Sequence, residues 1–297
     1  MTGIICIDKD KDITSFKAVA KVRGITGEKK VGHTGTLDPM ATGVLPVMLG
    51  GATKFLDYLP DSDKGYRAVF KLGITTDTLD ITGNVICKMP VTAGAKDVEA
   101  ALEKFRGEIM QIPPMYSAKS VNGKRLYELA RQGQVIEREP CAVNIKSLTL
   151  ADYSDDSYTI DVLCSKGTYI RSLIDDIGKE LGCGAVMTDL VRTGAMGFTL
   201  EDCVTTDELQ RLRDDGVGFD LAVIPLEKIY KSYPCVVVTP AQAKRFSNGG
   251  DLDIKRIKNP PEKDSVCRVY SAEKVFLGLG KNDGQELKVL RLLTRRD

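Results

Sequence analysis

The densest run of groups able to do chemistry is Gly32-His33-Thr34-Gly35-Thr36-Leu37-Asp38-Pro39-Met40-Ala41-Thr42-Gly43. Its glycines permit tight turns and close approach of a ligand to the backbone. The only histidine of the chain and an aspartate stand five apart in it, in what reads as a loop, where functional groups concentrate. An aspartate before a proline is also a good helix start, the carboxylate capping and the proline taking the first position. Spacing alone leaves capping and catalysis equally open for Asp38. No Gly-Lys-Ser/Thr follows, so the run is not a P-loop, and the Gly-x-Ser-x-Gly elbow of serine hydrolases is absent.

Three further groups stand out. Arg171 falls in the first turn of an amphipathic segment, where a cation opposes the helix dipole. It borders the apolar stripe, so either it reaches out to water or an anion, a carboxylate or a phosphate, offsets it. A paired carboxylate would be held ionised and aimed. Tyr66 lies on the apolar face of a strand. A core role suffices for it, yet aromatic rings also hold unstacked bases. After Pro113-Pro114, aromatics and cations interleave at Tyr116, Lys119, Lys124, Arg125, Tyr127 and Arg131, a composition suited to RNA but also common. Asp77-Thr78-Leu79-Asp80 reads by default as a capped turn.

The elements that must position these groups follow from periodicity. Gly3–Asp8 and Val44–Leu49 read as strands, with a Thr14- or Ser15-capped helix to about Val22 and a loop over 24–43. In Lys64–Ile74, Tyr66, Ala68, Phe70, Leu72 and Ile74 share one face, with Arg67 and Lys71 on the other. Asp97–Phe105 and Leu126–Gln132 read as helices and Tyr158–Cys164 as a strand. Thr168–Leu181 is the clearest helix, with Ile170, Leu173, Ile174, Ile177 and Leu181 on one stripe. From about Ile229 the pattern turns β-rich. Strands are expected at Cys235–Val238, Val266–Tyr270, Lys274–Gly280 and Leu287–Leu293, with a short helix begun by Thr239-Pro240.

Composition bounds the rest. The 297 residues carry 42 Lys plus Arg against 41 Asp plus Glu, but the charge is uneven. Residues 14–35 hold five bases and one acid, while 113–138 and 244–258 each hold five bases and two acids. Residues 200–220 compensate with seven acids and two bases. A near-neutral sum thus conceals basic stretches suited to a polyanion, though each alone could be a solvated surface. One histidine excludes a multi-histidine metal site, and the eight cysteines show no metal or redox spacing. They read as free thiols in a reducing cytoplasm. No apolar run approaches the roughly 20 residues of a membrane span, and no signal peptide is recognisable at the start.

Taken together, these segments resemble the TruB-type tRNA pseudouridine-55 synthases. The likeness runs in family order from about Gly3 to Phe198. Gly32–Gly43 with Leu45-Pro46-Val47 matches the catalytic loop, followed by Ala52-Thr53-Lys54. Gly65-Tyr66-Arg67 matches the tyrosine strand, and Asp77-Thr78-Leu79-Asp80-Ile81-Thr82-Gly83 the Asp-Thr-x-Asp-x-x-Gly turn. Gln111–Ala118 and Asn122–Arg131 match an insertion, and Cys164–Arg171 the arginine motif. The C-terminal unit is similar to a PUA-like domain.

The resemblance implies an α/β (α+β) fold with a mixed, largely antiparallel sheet. It implies a catalytic domain over 1–228, with 113–138 as an RNA-clamping insertion, and a PUA-like RNA-binding domain over 229–297. It implies isomerisation of a flipped uridine in the T loop of tRNA, with no cofactor, no metal and no obligate protein partner, by a cytoplasmic monomer. Asp38 is then the carboxylate that attacks C1′ or C6, Arg171 its ion-pair partner, and Tyr66 the stacking residue that assists proton loss at C5. His33 is expected to hold the flipped conformation, and Lys9, Lys54, Tyr169 and Leu190 to complete the substrate site. One departure is visible. The family's Asp-Lys-Pro-x-Gly-x-Thr reads here Asp8-Lys9-Asp10-Lys11-Asp12-Ile13-Thr14. Three rivals are a non-catalytic RNA binder on the same scaffold, a pseudouridine synthase for another RNA, and a hydrolase using His33 and Asp38. The last lacks an identifiable nucleophile.

Overall fold

In the computed structural model, residues 1–121 and 123–293 are described. Asn122 of the insertion motif and residues 294–297 lie outside them. A mixed sheet runs in the order Gly3–Lys9, Thr42–Leu49, Ala185–Ala195, Lys64–Leu72, Ser157–Cys164, Cys141–Ser154, Gly107–Gln111. Val31–His33 and Phe198–Thr199 pair at its margins. Every neighbouring pair is antiparallel except Thr42–Leu49 with Ala185–Ala195. The expected α/β class with a largely antiparallel sheet is the class found.

That single parallel junction places the site. Val191 stands opposite Thr42 and Arg192 opposite Gly43. Gly43 has φ +100°, and a Cβ there would lie 2.3 Å from the Arg192 carbonyl oxygen. Only glycine allows the two backbones to approach this closely. The strand after the 32–43 loop is thereby locked against the strand that carries Leu190 and Arg192.

Helices cover the sheet through apolar stripes. Ile170–Glu180 buries Leu173, Ile174 and Ile177 against Phe70, Ile160 and Met187. At the other end, Ser15–Thr26 buries Ala18, Val19 and Val22 against Ile5, Ile7 and Leu45. Thr14 caps that helix by accepting from the Lys17 N–H at 3.1 Å, and Gly27, at φ +68°, ends it. It therefore runs on through Gly24, four residues past the expected end at Val22. The strand from Lys64 stops at Leu72, because Gly73 takes φ +81°. Ile74 falls instead in a separate hairpin, Ile74–Thr76 with Val85–Lys88, and leaves the face it was expected to share.

The C-terminal part forms its own five-stranded sheet: Cys235–Val237, Val266–Tyr270, Phe276–Asn282, Glu286–Leu292, Leu252–Asp253. Thr239 caps the helix Pro240–Ser247, with Pro240 in its first turn. This sheet shares an apolar cluster with the larger one. The Phe55 ring lies 6.1 Å from both Tyr230 and Phe276, and the Tyr230 hydroxyl donates to the Phe55 carbonyl at 2.8 Å. Among the described residues, no helix is long and apolar enough to cross a membrane.

Candidate active site

Asp38 and Arg171, 133 residues apart in the chain, meet as a fork. Arg171 Nε lies 2.9 Å from Asp38 Oδ2, and Nη2 donates to Oδ1 at 3.0 Å. The rest of the guanidinium is also engaged, Nη1 with the Thr78 carbonyl at 3.0 Å and Nη2 with the Tyr116 carbonyl at 2.8 Å. Asp80 Oδ2 stands 3.7 Å from Nη1. Arg171 is 5% exposed, so it does not reach out to water. Two carboxylates offset a cation that would otherwise oppose its helix dipole. A bidentate pair fixes the plane of the carboxylate as well as its charge. Burial raises the Asp38 carboxyl above its ordinary range; Arg171 pulls against that shift, and Asp80 adds to it.

Each partner is held by its own element. Gln111 clamps the start of the arginine helix, its side-chain amide donating to the Tyr169 carbonyl at 3.2 Å and accepting from the Tyr169 N–H at 3.0 Å. Ser172 donates to the Ile112 carbonyl at 3.0 Å. Asp80 is fixed by Thr78 and Thr82, whose hydroxyls donate to Oδ1 at 2.8 and 2.5 Å. The turn read as merely capped thus also presents a carboxylate to Arg171.

Asp38 lies where two clefts meet. The smaller, about 220 Å³, is lined by Tyr66, Lys64, Tyr169 and Leu190 together with Asp38 and Arg171. The larger, about 590 Å³, shares Asp38 and Arg171 and adds His33, Phe16, Thr82, Tyr127 and Arg131. Leu190 and Tyr66 are both buried, on adjacent strands. Burial raises the Tyr66 phenol, with Arg192 opposing, so the ring is neutral at neutral pH. Burial and the Arg192 charge lower His33, and its buried Nδ1 has no hydrogen-bond partner.

Of the eight residues singled out from the sequence, six thus come together: Asp38, Arg171, Tyr66, His33, Tyr169 and Leu190. Lys9 and Lys54 do not line either cleft. Lys9 is 1% exposed and spends its ammonium on the carbonyls of Asp10, Ile13 and Pro39 at 2.8, 2.7 and 3.1 Å. It ties the first loop to the residue after Asp38. Lys54 lies half-buried in the 3-10 helix Gly50–Tyr58. The two unusual acids are accommodated locally. Asp12 sits at φ +60°, a left-handed position that glycine fills without strain and aspartate tolerates. Asp10 accepts from Lys21 at 2.7 Å and Thr206 at 2.9 Å, and these bonds outweigh burial to hold it below its ordinary range.

Arg192 was not anticipated. It is fully buried and donates to the carbonyls of Val44, Thr36 and Gly35 at 2.7, 3.3 and 3.2 Å. It pins the 35–36 turn ahead of Asp38 to the sheet, beside Tyr66. All eight cysteines are free. Among the described residues, no cluster of three or more His, Cys, Asp and Glu side chains could hold a metal ion.

Comparison with known proteins bears on this geometry. The model described as TruB family pseudouridylate synthase, N terminal domain, matches residues 23–170. Two C-terminal models of the same family, for tRNA pseudouridylate synthase B and pseudouridine synthase II TruB, match 171–230 and 234–293. The chain belongs to the TruB family of pseudouridine synthases. The tRNA pseudouridine synthase B of Pseudomonas fluorescens (strain Pf0-1) is 46% identical over 95% of this chain and 92% of its own length. That of Clostridium kluyveri is 42% identical over 98% and 99%. Among solved structures, a chain of an archaeal box H/ACA sRNP Nop10–Cbf5 complex superposes with a TM-score of 0.75 at 25% identity, covering 99% of this chain and 87% of that one. The family matches reach both sheets, with Asp38 inside the first and Arg171 at the start of the second.

Proposed function

We propose that this TruB-family chain isomerises uridine to pseudouridine at position 55 in the T loop of tRNA. The observation that carries the reading is the bidentate Asp38–Arg171 pair at the join of a base-sized cleft and a longer one. The flipped base occupies the smaller cleft, between Tyr66 and Leu190. The RNA strand follows the larger one past His33, Tyr127 and Arg131. Flipping costs a few kcal/mol, which stacking on Tyr66 at about 1–3 kcal/mol and His33 in the vacated space help offset.

Asp38 supplies the carboxylate that attacks C1′ or C6, ionised and aimed by Arg171. Tyr66 assists loss of the C5 proton after the uracil has turned and rejoined through carbon. Tyr169 closes the small cleft. Lys9 and Lys54 act outside the clefts, Lys9 by fixing the loop that ends in Pro39. The reaction needs neither metal nor cofactor. Residues 1–228 form the catalytic domain, with 113–138 clamping the T arm, and 229–297 form a PUA-like domain that extends the RNA contact. The enzyme works as a cytoplasmic monomer. The tRNA specificity accords with the names of relatives that match the chain nearly end to end.

The test is tritium release from C5-labelled uridine in an unmodified tRNA transcript, for the parent and Asp38→Asn. Release from one T-loop uridine, abolished by the substitution while RNA binding persists, is the expected outcome. Tight binding by the parent without release would overturn the reading in favour of an RNA-binding protein on the same scaffold.

A further inference from the structure

The cleft that holds Tyr66 contains a second cation with no role so far. Lys64 begins the strand Lys64–Leu72, two residues before Tyr66. Side chains two apart on a strand share a face, and both line the small cleft with Asp38 and Leu190. The neighbouring cations are committed to protein partners. Arg171 grips Asp38, Arg192 three carbonyls, and Lys9 three more. The Lys64 ammonium has no hydrogen-bond or carboxylate partner among the described residues. It is half-buried and lies close to Arg192: a Cβ at Gly35 would stand 3.4 Å from Lys64 Nζ and 3.8 Å from Arg192 Nη1. Burial, then the Arg192 charge, hold it below its ordinary range. A partly desolvated cation beside another cation is unfavourable unless something negative arrives.

We infer that Lys64 is a further catalytic residue, whose ammonium stabilises the negative charge that gathers on the uracil oxygens when the base is detached. The inference rests on the reaction proposed above. If Asp38 attacks C1′, the C1′–N1 bond breaks and its electron pair passes to the ring, spread over N1, O2 and O4. An Asp38 oxygen bonds C1′. The turned ring then attacks C1′ through C5 and releases the carboxylate, C5 loses its proton and N1 gains one. If Asp38 adds to C6 instead, the displaced pair lies on C5 and O4. The C1′–N1 bond then breaks with its pair on N1, and C5 of the turned ring bonds C1′. Loss of the C5 proton expels the carboxylate from C6 while N1 gains a proton. Either route places anionic oxygen in the same small cleft, and neither has net oxidation or reduction. A backbone phosphate is the other anion the substrate brings. Lys64 lines the cleft with Tyr66 and Leu190 and is absent from the walls of the longer one, which favours the base. At about 220 Å³, the cleft is smaller than the roughly 300–1,000 Å³ typical of drug-sized sites.

The experiment is single-turnover tritium release by Lys64→Met and Lys64→Ala, with RNA affinity measured across a salt series. Removing one preorganised donor to a developing oxyanion typically lowers the rate about 10²–10³-fold, and that loss is expected at unchanged affinity and salt slope. In Lys64→Ala, ethylammonium should restore part of the rate saturably, and ethanol of similar size should not. A rate within about threefold of the parent would overturn the inference. So would weakened binding with a shallower salt slope, the mark of a phosphate contact, or equal rescue by the neutral alcohol. A parent without release would overturn the reaction itself and the Lys64 role with it.

Discussion

Arg192→Met is the perturbation that most directly tests how the fold holds its catalytic loop. Arg192 is the largest fully buried side chain among the described residues. Its Nε–Val44 bond is short, at 2.7 Å, and enclosed. A hydrogen bond from a charged donor contributes about 1.5–3 kcal/mol. The bonds to Thr36 and Gly35, at 3.3 and 3.2 Å, lie at the long edge of the usual range. They reach a partly exposed turn whose carbonyls can bind water instead, so about 0.5–1 kcal/mol each is appropriate. The gross loss is then about 2.5–5 kcal/mol. Methionine recovers part of it, because no charge remains to be desolvated. A net loss of about 2–4 kcal/mol is expected, read as a lower urea midpoint at unchanged slope.

The consequence for activity is larger than that for folding. The freed turn lies two residues before Asp38, and a misplacement of about 1 Å can lower a rate 10²-fold. In folded Arg192→Met, single-turnover tritium release should fall by about that factor. Arg192→Lys keeps the charge but reaches fewer of the three carbonyls, and should lie between. A stability loss under about 1 kcal/mol, or full activity in the folded methionine variant, would refute the idea that Arg192 anchors the loop.

Two predictions concern the frame around the site. Gly43→Ala should lose about 3 kcal/mol or more, from strain at a positive φ and a Cβ 2.3 Å from the Arg192 carbonyl oxygen; thermal unfolding measures it, and an unchanged midpoint would contradict the close strand approach. Burial lowers Lys9 to about 8 from the usual 10.5. Between those values the unfolded chain binds more protons than the folded one, so this group's contribution makes stability rise with pH. Lys9→Met should lose that increment, and identical pH profiles for the two proteins would refute the assignment.

What could be read from the sequence follows how regular each element is. The arginine helix and the tyrosine strand were legible because their apolar positions keep one period from end to end. Two central strands were not. Ala185–Ala195 has irregularities at Met187/Asp189 and Arg192/Gly194, and Cys141–Ser154 at Ile145/Ser147 and Leu150/Asp152. Each bulge reverses the alternation on which a strand is recognised. Asp38, Arg171 and Tyr66 were legible through the family resemblance, and their spacing alone left bland alternatives open. Their meeting depends on the crossover of Thr42–Leu49 beside Ala185–Ala195, which no local pattern encodes.

Lys64 and Arg192 were missed for opposite reasons. The alternation that places Tyr66, Ala68, Phe70 and Leu72 on one face also places Lys64 there, so its position was open to arithmetic. A lysine at the end of a strand ordinarily reads as a charge leaving for water, and that default concealed an inward-facing cation. Arg192 follows a bulge, so its direction could not be obtained by counting. Both stand around one glycine, Gly35, whose missing side chain leaves room for two cations. Arg171 is held between Asp38 and Asp80. The small cleft therefore holds one cation engaged with Asp38 and one that is unengaged. That asymmetry suits a reaction in which the negative charge of Asp38 passes to the base as the carboxylate bonds carbon.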